Sequence, residues 1–429
     1  MPYVARAISS NQLKSIKRQA HAFKRNVLKL RPTLDVFLKV DDPYSFLLVQ
    51  VLSSVEARFD VDLNYHVFDD FDPEMFPRME MWREYAAYDA YHLAQLYDIE
   101  FPEHPQKSER KITERLALQL VEFEGNENFL TISCKLLHSF WFAPVGESEL
   151  PKSIDKQQCQ KNLKQNAELL AEKGHYLGAM IHFENEWYWG VDRLDHLESR
   201  LIENGLSKSA KEEIYFNRTY RDFCTHALPH PTNKNKPLTL YWSARSPYSY
   251  LALEKAVQLA TFHKITLDIK PVLPMMMRNM NVPQTKKMYI FLDTKREAQK
   301  QGILYGFVAD PLGEAVERCY ALLDYAHSQK KLHEFLLSFA RGVNAEGIRA
   351  ETDRGMHIIV ERCGLNWAEA KAQLSNTLWK HEVQKNLDEM FELGCWGVPT
   401  ICYGDQYFWG QDRFGILENH IISTGIPST

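Results

Sequence analysis

The chain repeats itself, and this constrains its fold more than any other feature. LDVFLKVDDPYSFLL, from Leu34, matches LTLYWSARSPYSYLA, from Leu238, so that Pro43-Tyr44-Ser45 aligns with Pro247-Tyr248-Ser249 at an offset of 204. The same offset pairs Tyr85 with Tyr289, Asp89 with Asp293 and Ile99 with Ile303. Toward the end of each copy, IHFENEWYWGVDRLDHLE from Ile181 matches ICYGDQYFWGQDRFGILE from Ile401 at an offset of 220, so the second copy holds 16 more residues in its middle. Separated motifs at nearly one offset read as a tandem duplication. A length of 429 residues is in any case too great for one ordinary core.

Each copy shows the same order of elements. An alternating strand (34–40; 238–244) enters a proline turn, and a helix (44–59; 248–263) and a second strand (61–68; 265–272) follow. A long middle stretch is helical by pattern, for example EAVERCYALLDYAHSQKKLHEFLLSFARGV from Glu314. A hairpin (179–188; 399–408) and a helix starting near Asp192 or Asp412 close each copy. This predicts an α/β fold of two tandem domains, each a small mixed sheet with an inserted helical subdomain. The expected division is a basic N-terminal helix over 1–32, a first domain over 33–224, a linker over 225–237 and a second domain over 238–424. The linker rests on THALPHPTNKNKP, with three prolines and no apolar periodicity. SKSAKEEIYFNRTYRDFC, just before it, reads as a helix capping the first copy.

Composition narrows the function classes. Hydrophobic residues at 45% and charged residues at 25% exclude a disordered or fibrous chain. A net charge of −5 gives no global field for holding nucleic acid. No apolar run is long enough for a membrane span. Seven cysteines without a C-x-x-C pair argue against a disulfide scaffold, a zinc ribbon or a dithiol redox centre, so no metal is expected. With no secretory signal in view, a reducing cytoplasm is the simplest expected location.

The first 34 residues carry eight Lys and Arg and no acid. Ile16, Ala20, Phe23, Val27 and Leu30 recur at helical spacing. The expectation is an amphipathic helix packed on the domain behind it, with its Lys/Arg face in water. A mitochondrial transit peptide and a contact with a membrane surface or nucleic acid are the other readings of such a pattern.

In the second copy the first strand runs into Ser246-Pro247-Tyr248-Ser249. Serine then proline is a helix N-cap followed by the residue best suited to the first helical position. Unbonded N–H groups and the positive end of the helix dipole meet there and favour a thiolate nearby. The whole stretch resembles the DsbA-like branch of the thioredoxin-fold superfamily, with these four residues standing where redox members carry C-P-x-C. It is especially similar to 2-hydroxychromene-2-carboxylate isomerases and kappa-class glutathione transferases. Gly397-Val398-Pro399-Thr400 resembles that family's cis-proline loop, and Trp409-Gly410-Gln411-Asp412-Arg413 its glutathione-binding turn.

The resemblance implies glutathione as cofactor, with Ser246 lowering the pKa of its thiol. It implies that the backbone at Val398-Pro399 pairs with the cysteinyl part of glutathione. Asp412 would take the α-ammonium, with Gln411 and the backbone beside Arg413 taking a carboxylate. Asn281 and Lys286 fall where the family places further contacts. Met275 and Met276, adaptable to flat ligands, and Tyr248 and Trp242, flanking the thiol site, are candidate substrate contacts. A local reading remains for each: Ser246 and Asp412 as caps, Pro399 as a strand-start proline, Trp242 as core.

The first copy departs from the pattern, with Asp42 at the Ser246 position and Ala179 at the Pro399 position. A carboxylate repels a thiolate where a hydroxyl stabilises it. The first copy therefore reads as degenerate, and the double change Asp42→Ser with Ala179→Pro is expected to address both defects. The family's dimers suggest an intramolecular pseudo-dimer of the two copies, with further oligomerisation open. The leading expectation is a glutathione-dependent isomerase or transferase acting on a small aromatic or unsaturated molecule. The alternatives are a non-catalytic thioredoxin-fold binding module and a disulfide oxidoreductase in fold only, since neither Ser246 nor Ser249 is cysteine.

Overall fold

A strand running straight into a proline-started helix is made twice, and each instance organises a sheet. The computed structural model describes residues 2–69, 72–105, 109–142, 155–226 and 236–425. The chain divides into two compact units, Ile16–Arg221 and Asp222–Thr429 with Met1–Ser15. Of the expected linker, residues 227–235 lie outside the described residues.

The basic N-terminal stretch forms two helices rather than one, α1 (Pro2–Ile8) and α2 (Asn11–Val27). They part at Ser9, whose hydroxyl donates back to the Ala5 carbonyl at 2.9 Å, and at Ser10. The orientation of α2 reverses the expectation. Arg18 grips Glu186 with two parallel bonds of 2.7 and 2.8 Å, and Arg25 pairs with Glu184. Ile16, Phe23 and Val27, expected to face the domain, are exposed.

The unit Ile16–Arg221 contains β1 (Thr33–Leu38), α3 (Pro43–Arg58), β2 (Asp62–Val67), α4 (Met79–Tyr97), α5 (Arg110–Glu122), α6 (Phe129–Phe142), α7 (Lys156–Glu172), β3 (Met180–Phe183), β4 (Glu186–Trp189) and α8 (Leu194–Glu203). Its sheet runs β2-β1-β3-β4, with β1 and β2 parallel and the other pairs antiparallel. β1 is central, so Leu34, Val36, Phe37 and Leu38 are all buried, as a strand covered on both faces requires. The segment 207–224, expected as a helix, is a series of turns. Glu198 accepts the Tyr215 and Phe216 N–H groups at 2.9 and 3.1 Å, so a side chain takes up backbone donors that a helix would have used.

The second unit contains β5 (Leu238–Trp242), α9 (Pro247–His263), β6 (Leu267–Pro271), α10 (Gln284–Lys300), α11 (Glu314–Ala321), α12 (Leu323–Ser328), α13 (Leu332–Ala345), α14 (Asp353–Glu361), α15 (Trp367–Gln373), α16 (Trp379–Glu392), β7 (Thr400–Tyr403), β8 (Gln406–Trp409) and α17 (Phe414–Gly425). Its sheet runs β6-β5-β7-β8 with the same directions. The stretch from Glu314 breaks into three helices, the second break falling where Lys330 takes φ +57°. No helix among the described residues is long and apolar enough to cross a membrane.

Candidate active site

Strand direction gathers the motifs of the second unit. β5 and β6 are parallel and end together, at Trp242 and Pro271. β7 is antiparallel to β5, with Tyr241 opposite Thr400, so Pro399 lies beside the end of β5. β8 returns with Trp409 opposite Thr400, which brings Gly410-Gln411-Asp412-Arg413 to the same end. Four segments thus leave one end of the sheet: the loop into α9, the methionine stretch after β6, the proline loop before β7 and the turn after β8.

Ser246 caps α9 from an extended conformation (φ −73°, ψ 121°), and its Oγ accepts the Ser249 N–H at 3.2 Å. The hydroxyl oxygen is thereby engaged as an acceptor, and its hydrogen is available to donate outward. Ser246, Pro247 and Tyr248 are half-buried, so this helix end is reachable. The loop before it is fixed from several sides. Ser243 N–H donates to Ser249 Oγ at 3.3 Å, and Ala244 N–H donates to the Tyr320 hydroxyl at 3.1 Å. Arg245 forks onto Asp310 with two bonds of 2.7 Å. Tyr248 donates to Asp293 at 2.7 Å, and Arg296 holds the other oxygen of that carboxylate, also at 2.7 Å.

The Val398–Pro399 peptide bond is cis, and the Pro399 carbonyl accepts the Gly410 N–H at 2.9 Å, joining the proline loop to the turn after β8. Trp396 and Trp409 meet edge to face at 5.1 Å on this loop. Lys286, near the start of α10, sits 5.6 Å from the centre of the Trp396 ring. Burial holds its ammonium down to about 8. Asp412 stays partly accessible, 3.4 Å from Arg413. Its carboxylate folds over Gly410, where φ is +128° and a Cβ would lie 2.6 Å from Asp412 Oδ1, so glycine is required there.

Not every expected residue reaches this site. Trp242 is 1% exposed, sealed in the core near Tyr320, and cannot stack on a substrate. Gln411 is also sealed, and its amide is committed: Nε2 donates to Glu297 at 2.8 Å, while Oε1 accepts from Lys255 at 3.2 Å and Gln301 at 3.1 Å. It anchors the turn, and its side chain is not placed to hold a carboxylate. Arg413 is buried too, leaving backbone as what it can offer. Met275 and Met276 are half-buried, and the Met276 sulfur accepts from Arg245 at 3.1 Å. Asn281 is exposed. Sequence reasoning missed the Arg245–Asp310 clamp and the anchoring of Tyr248 by Asp293; the repeated Asp89/Asp293 spacing was the available signal for the second. Among the described residues no group of three or more His, Cys, Asp or Glu side chains could hold a metal ion.

The first unit closes the equivalent place. Asp42 caps α3, 1% exposed, with Oδ2 accepting Ser45 N–H at 3.1 Å and Ser45 Oγ–H at 2.7 Å. The same oxygen presses on Gly178, where a Cβ would come within 2.4 Å of it. Ala179 has φ +53° and its N–H donates to Ser45 Oγ at 3.0 Å. Proline can supply neither that φ nor that donor. The expected repair Ala179→Pro is therefore overturned, because it would break the loop it was meant to restore.

Burial pushes the Asp42 carboxyl up to about 7, against the bonds from Ser45 and the attraction of Lys39. A carboxyl raised above its ordinary 3.8 binds its proton more tightly folded than unfolded. Its stabilising share is whole below pH ~4 and is lost as pH rises to about 7. Asp42→Asn should flatten the dependence of the thermal midpoint between these limits and raise the midpoint at pH 8. An unchanged slope would show that Asp42 is ionised throughout. Gly397→Ala should lower the midpoint at every pH, because the added Cβ would lie 2.6 Å from the Trp409 ring; such overpacking costs roughly 1–3 kcal/mol.

Residues 238–422 match the family model of the DSBA-like thioredoxin domain. The chain is similar to the 2-hydroxychromene-2-carboxylate isomerase of Sphingobium xenophagum, 26% identical over 204 residues, covering 44% of this chain and 98% of that protein. It is also similar to that of Pseudomonas putida, 23% identical over 185 residues, covering 42% of this chain and 91% of that protein. A solved 2-hydroxychromene-2-carboxylate isomerase aligns at 22% identity over 44% of this chain and 95% of its own, with a TM-score of 0.39.

Proposed function

We propose that the second unit is a glutathione-dependent isomerase, in which Ser246 activates the glutathione thiolate toward a small aromatic or unsaturated molecule. The observation that carries this reading is the reachable N-terminus of α9, capped by a serine hydroxyl and standing at the sheet end to which the register of β7 brings the Val398-Pro399 loop. The relatives named as isomerases favour isomerisation over conjugation, in which the same thiolate would be consumed. A thiolate placed at Ser246 gains the hydroxyl hydrogen bond and the positive end of a 17-residue helix. It then adds to an unsaturated carbon, a bond rotates, and the thiolate leaves, so glutathione is regenerated. Val398 backbone, Asp412 and Lys286 would hold the tripeptide, Lys286 through a carboxylate. Tyr248, Met275 and Met276 would border the substrate.

In this reading the two units descend from one duplicated ancestor, and the first, with Asp42 sealed against Gly178, has lost its ligand site. The test is calorimetric titration of the whole chain with glutathione, together with ultraviolet titration of the bound thiol. One glutathione per chain with a lowered thiol pKa is expected. A stoichiometry of two would overturn the assignment of the first unit, and no binding would overturn the reading as a whole. Ser246→Ala should lower turnover about ten- to a hundredfold, as loss of a charge-assisted hydrogen bond does. It should cost only about 1 kcal/mol of stability for the lost cap. Unchanged activity per folded molecule would leave Ser246 as a cap alone.

A further inference from the structure

The face that α2 turns outward is the apolar one. Positions 13, 16, 20, 23 and 27 fall within about 80° of arc on a 3.6-residue helix. Their side chains are Leu13, Ile16, Ala20, Phe23 and Val27, with Ile16 62% and Phe23 70% exposed. Leu28 and Leu30 prolong the exposed apolar surface past the helix end. Opposite this stripe, Arg18 and Arg25 turn inward onto the β3–β4 hairpin. Arg18 meets Glu186 and Glu203, and Arg25 meets Glu184. Buried Arg200 also pairs with Glu184 and Glu186, so the carboxylates under the helix are matched by three guanidinium groups. Lys17 and Lys24 form a row along one flank of the stripe, and Lys29 lies just beyond; all three are exposed. No Asp or Glu occurs before Asp35.

We propose that this face of α2 is a docking surface for an anionic lipid bilayer. An amphipathic helix of low net hydrophobicity, with lysines flanking an aromatic and aliphatic stripe, lies in the plane of a membrane interface with its apolar face among the upper acyl chains. Leu13 to Val27 spans about 21 Å at 1.5 Å per residue, enough to lie along such a surface. Charge selects this occupant over a second copy of the chain. Two such helices packed antiparallel bring the Lys17/Lys24 rows together, and packed parallel they set each row against the other helix's uncharged flank of Gln12 and Gln19. Neither arrangement supplies the negative partner that lipid phosphates supply. The ion pairs of Arg18 and Arg25 hold the helix on its unit in the orientation that leaves the stripe outward.

The full chain is to be floated with vesicles of pure phosphatidylcholine and of phosphatidylcholine mixed with phosphatidylglycerol, at low and high salt. Flotation with the anionic vesicles, weakened by salt, is expected. Lys17→Gln with Lys24→Gln should weaken binding roughly fivefold per lysine removed. Phe23→Ser with Val27→Ser should abolish it, with circular dichroism unchanged because neither side chain is in the core. Absence of flotation with anionic vesicles, equal binding to both vesicle types, or binding that survives Phe23→Ser with Val27→Ser would overturn the proposal. So would light scattering that shows self-association of the parent dissolved by that double change, since the stripe would then be an interface between copies.

Discussion

The pairing of β7 with β5, Tyr241 opposite Thr400, is the constraint on which the candidate site depends. It puts Pro399 at the end of β5, and the return through β8 puts Gly410 against Pro399. A slip of one residue would turn buried Ile401 toward the opposite face of the sheet and carry the proline away from the helix terminus. Thr400, fully buried, helps to hold the loop by donating its hydroxyl to the Gly397 carbonyl at 2.8 Å. Gly397 in turn leaves room for the Trp409 ring. The loop is thus built from the same residues that set the strand register.

The difference between the two units is one hydrogen-bond network rather than two separate substitutions. In the first, Ser45 Oγ accepts from both Lys39 N–H and Ala179 N–H, so its own hydrogen needs an acceptor, and Asp42 provides it. In the second, Pro399 has no N–H to offer, and Ser249 Oγ accepts from Ser243 N–H. A neutral cap at Ser246 then suffices. The carboxylate, the alanine in left-handed conformation and the closed surface belong together, as do the hydroxyl, the proline and the reachable helix end.

Local chemistry was legible from the residues. Pro43 and Pro247 begin their helices, Asp42 and Ser246 cap them, and the element order read in each copy agrees with the two sheets of like strand order. What escaped the sequence depended on distant partners. The resemblance assigns Gln411 to a carboxylate, but Lys255 of α9, Glu297 of α10 and Gln301, just after α10, reach its amide. Residues 207–224 have helical composition, yet Glu198 of α8 takes their backbone donors. The orientation of α2 was misread because an amphipathic pattern gives the two faces and not the charges they meet. Glu184 and Glu186 lie some 160 positions away.

The choice of arginine against lysine on α2 follows from what each side chain does best. Guanidinium is planar, weakly hydrated and able to fork onto a carboxylate, so it suits the half-buried contact with Glu186, where Arg18 engages both oxygens. Ammonium is strongly hydrated and loses more on leaving water, so Lys17 and Lys24 remain on the exposed flank. Lys286 in the second unit shows the cost of the reverse arrangement: an ammonium under protein is pushed down to about 8 by desolvation. Its charged form is disfavoured in the folded chain, so it lowers stability below pH 8 and ceases to do so as pH rises from about 8 to the ordinary 10.5. A carboxylate brought against it would offset that desolvation.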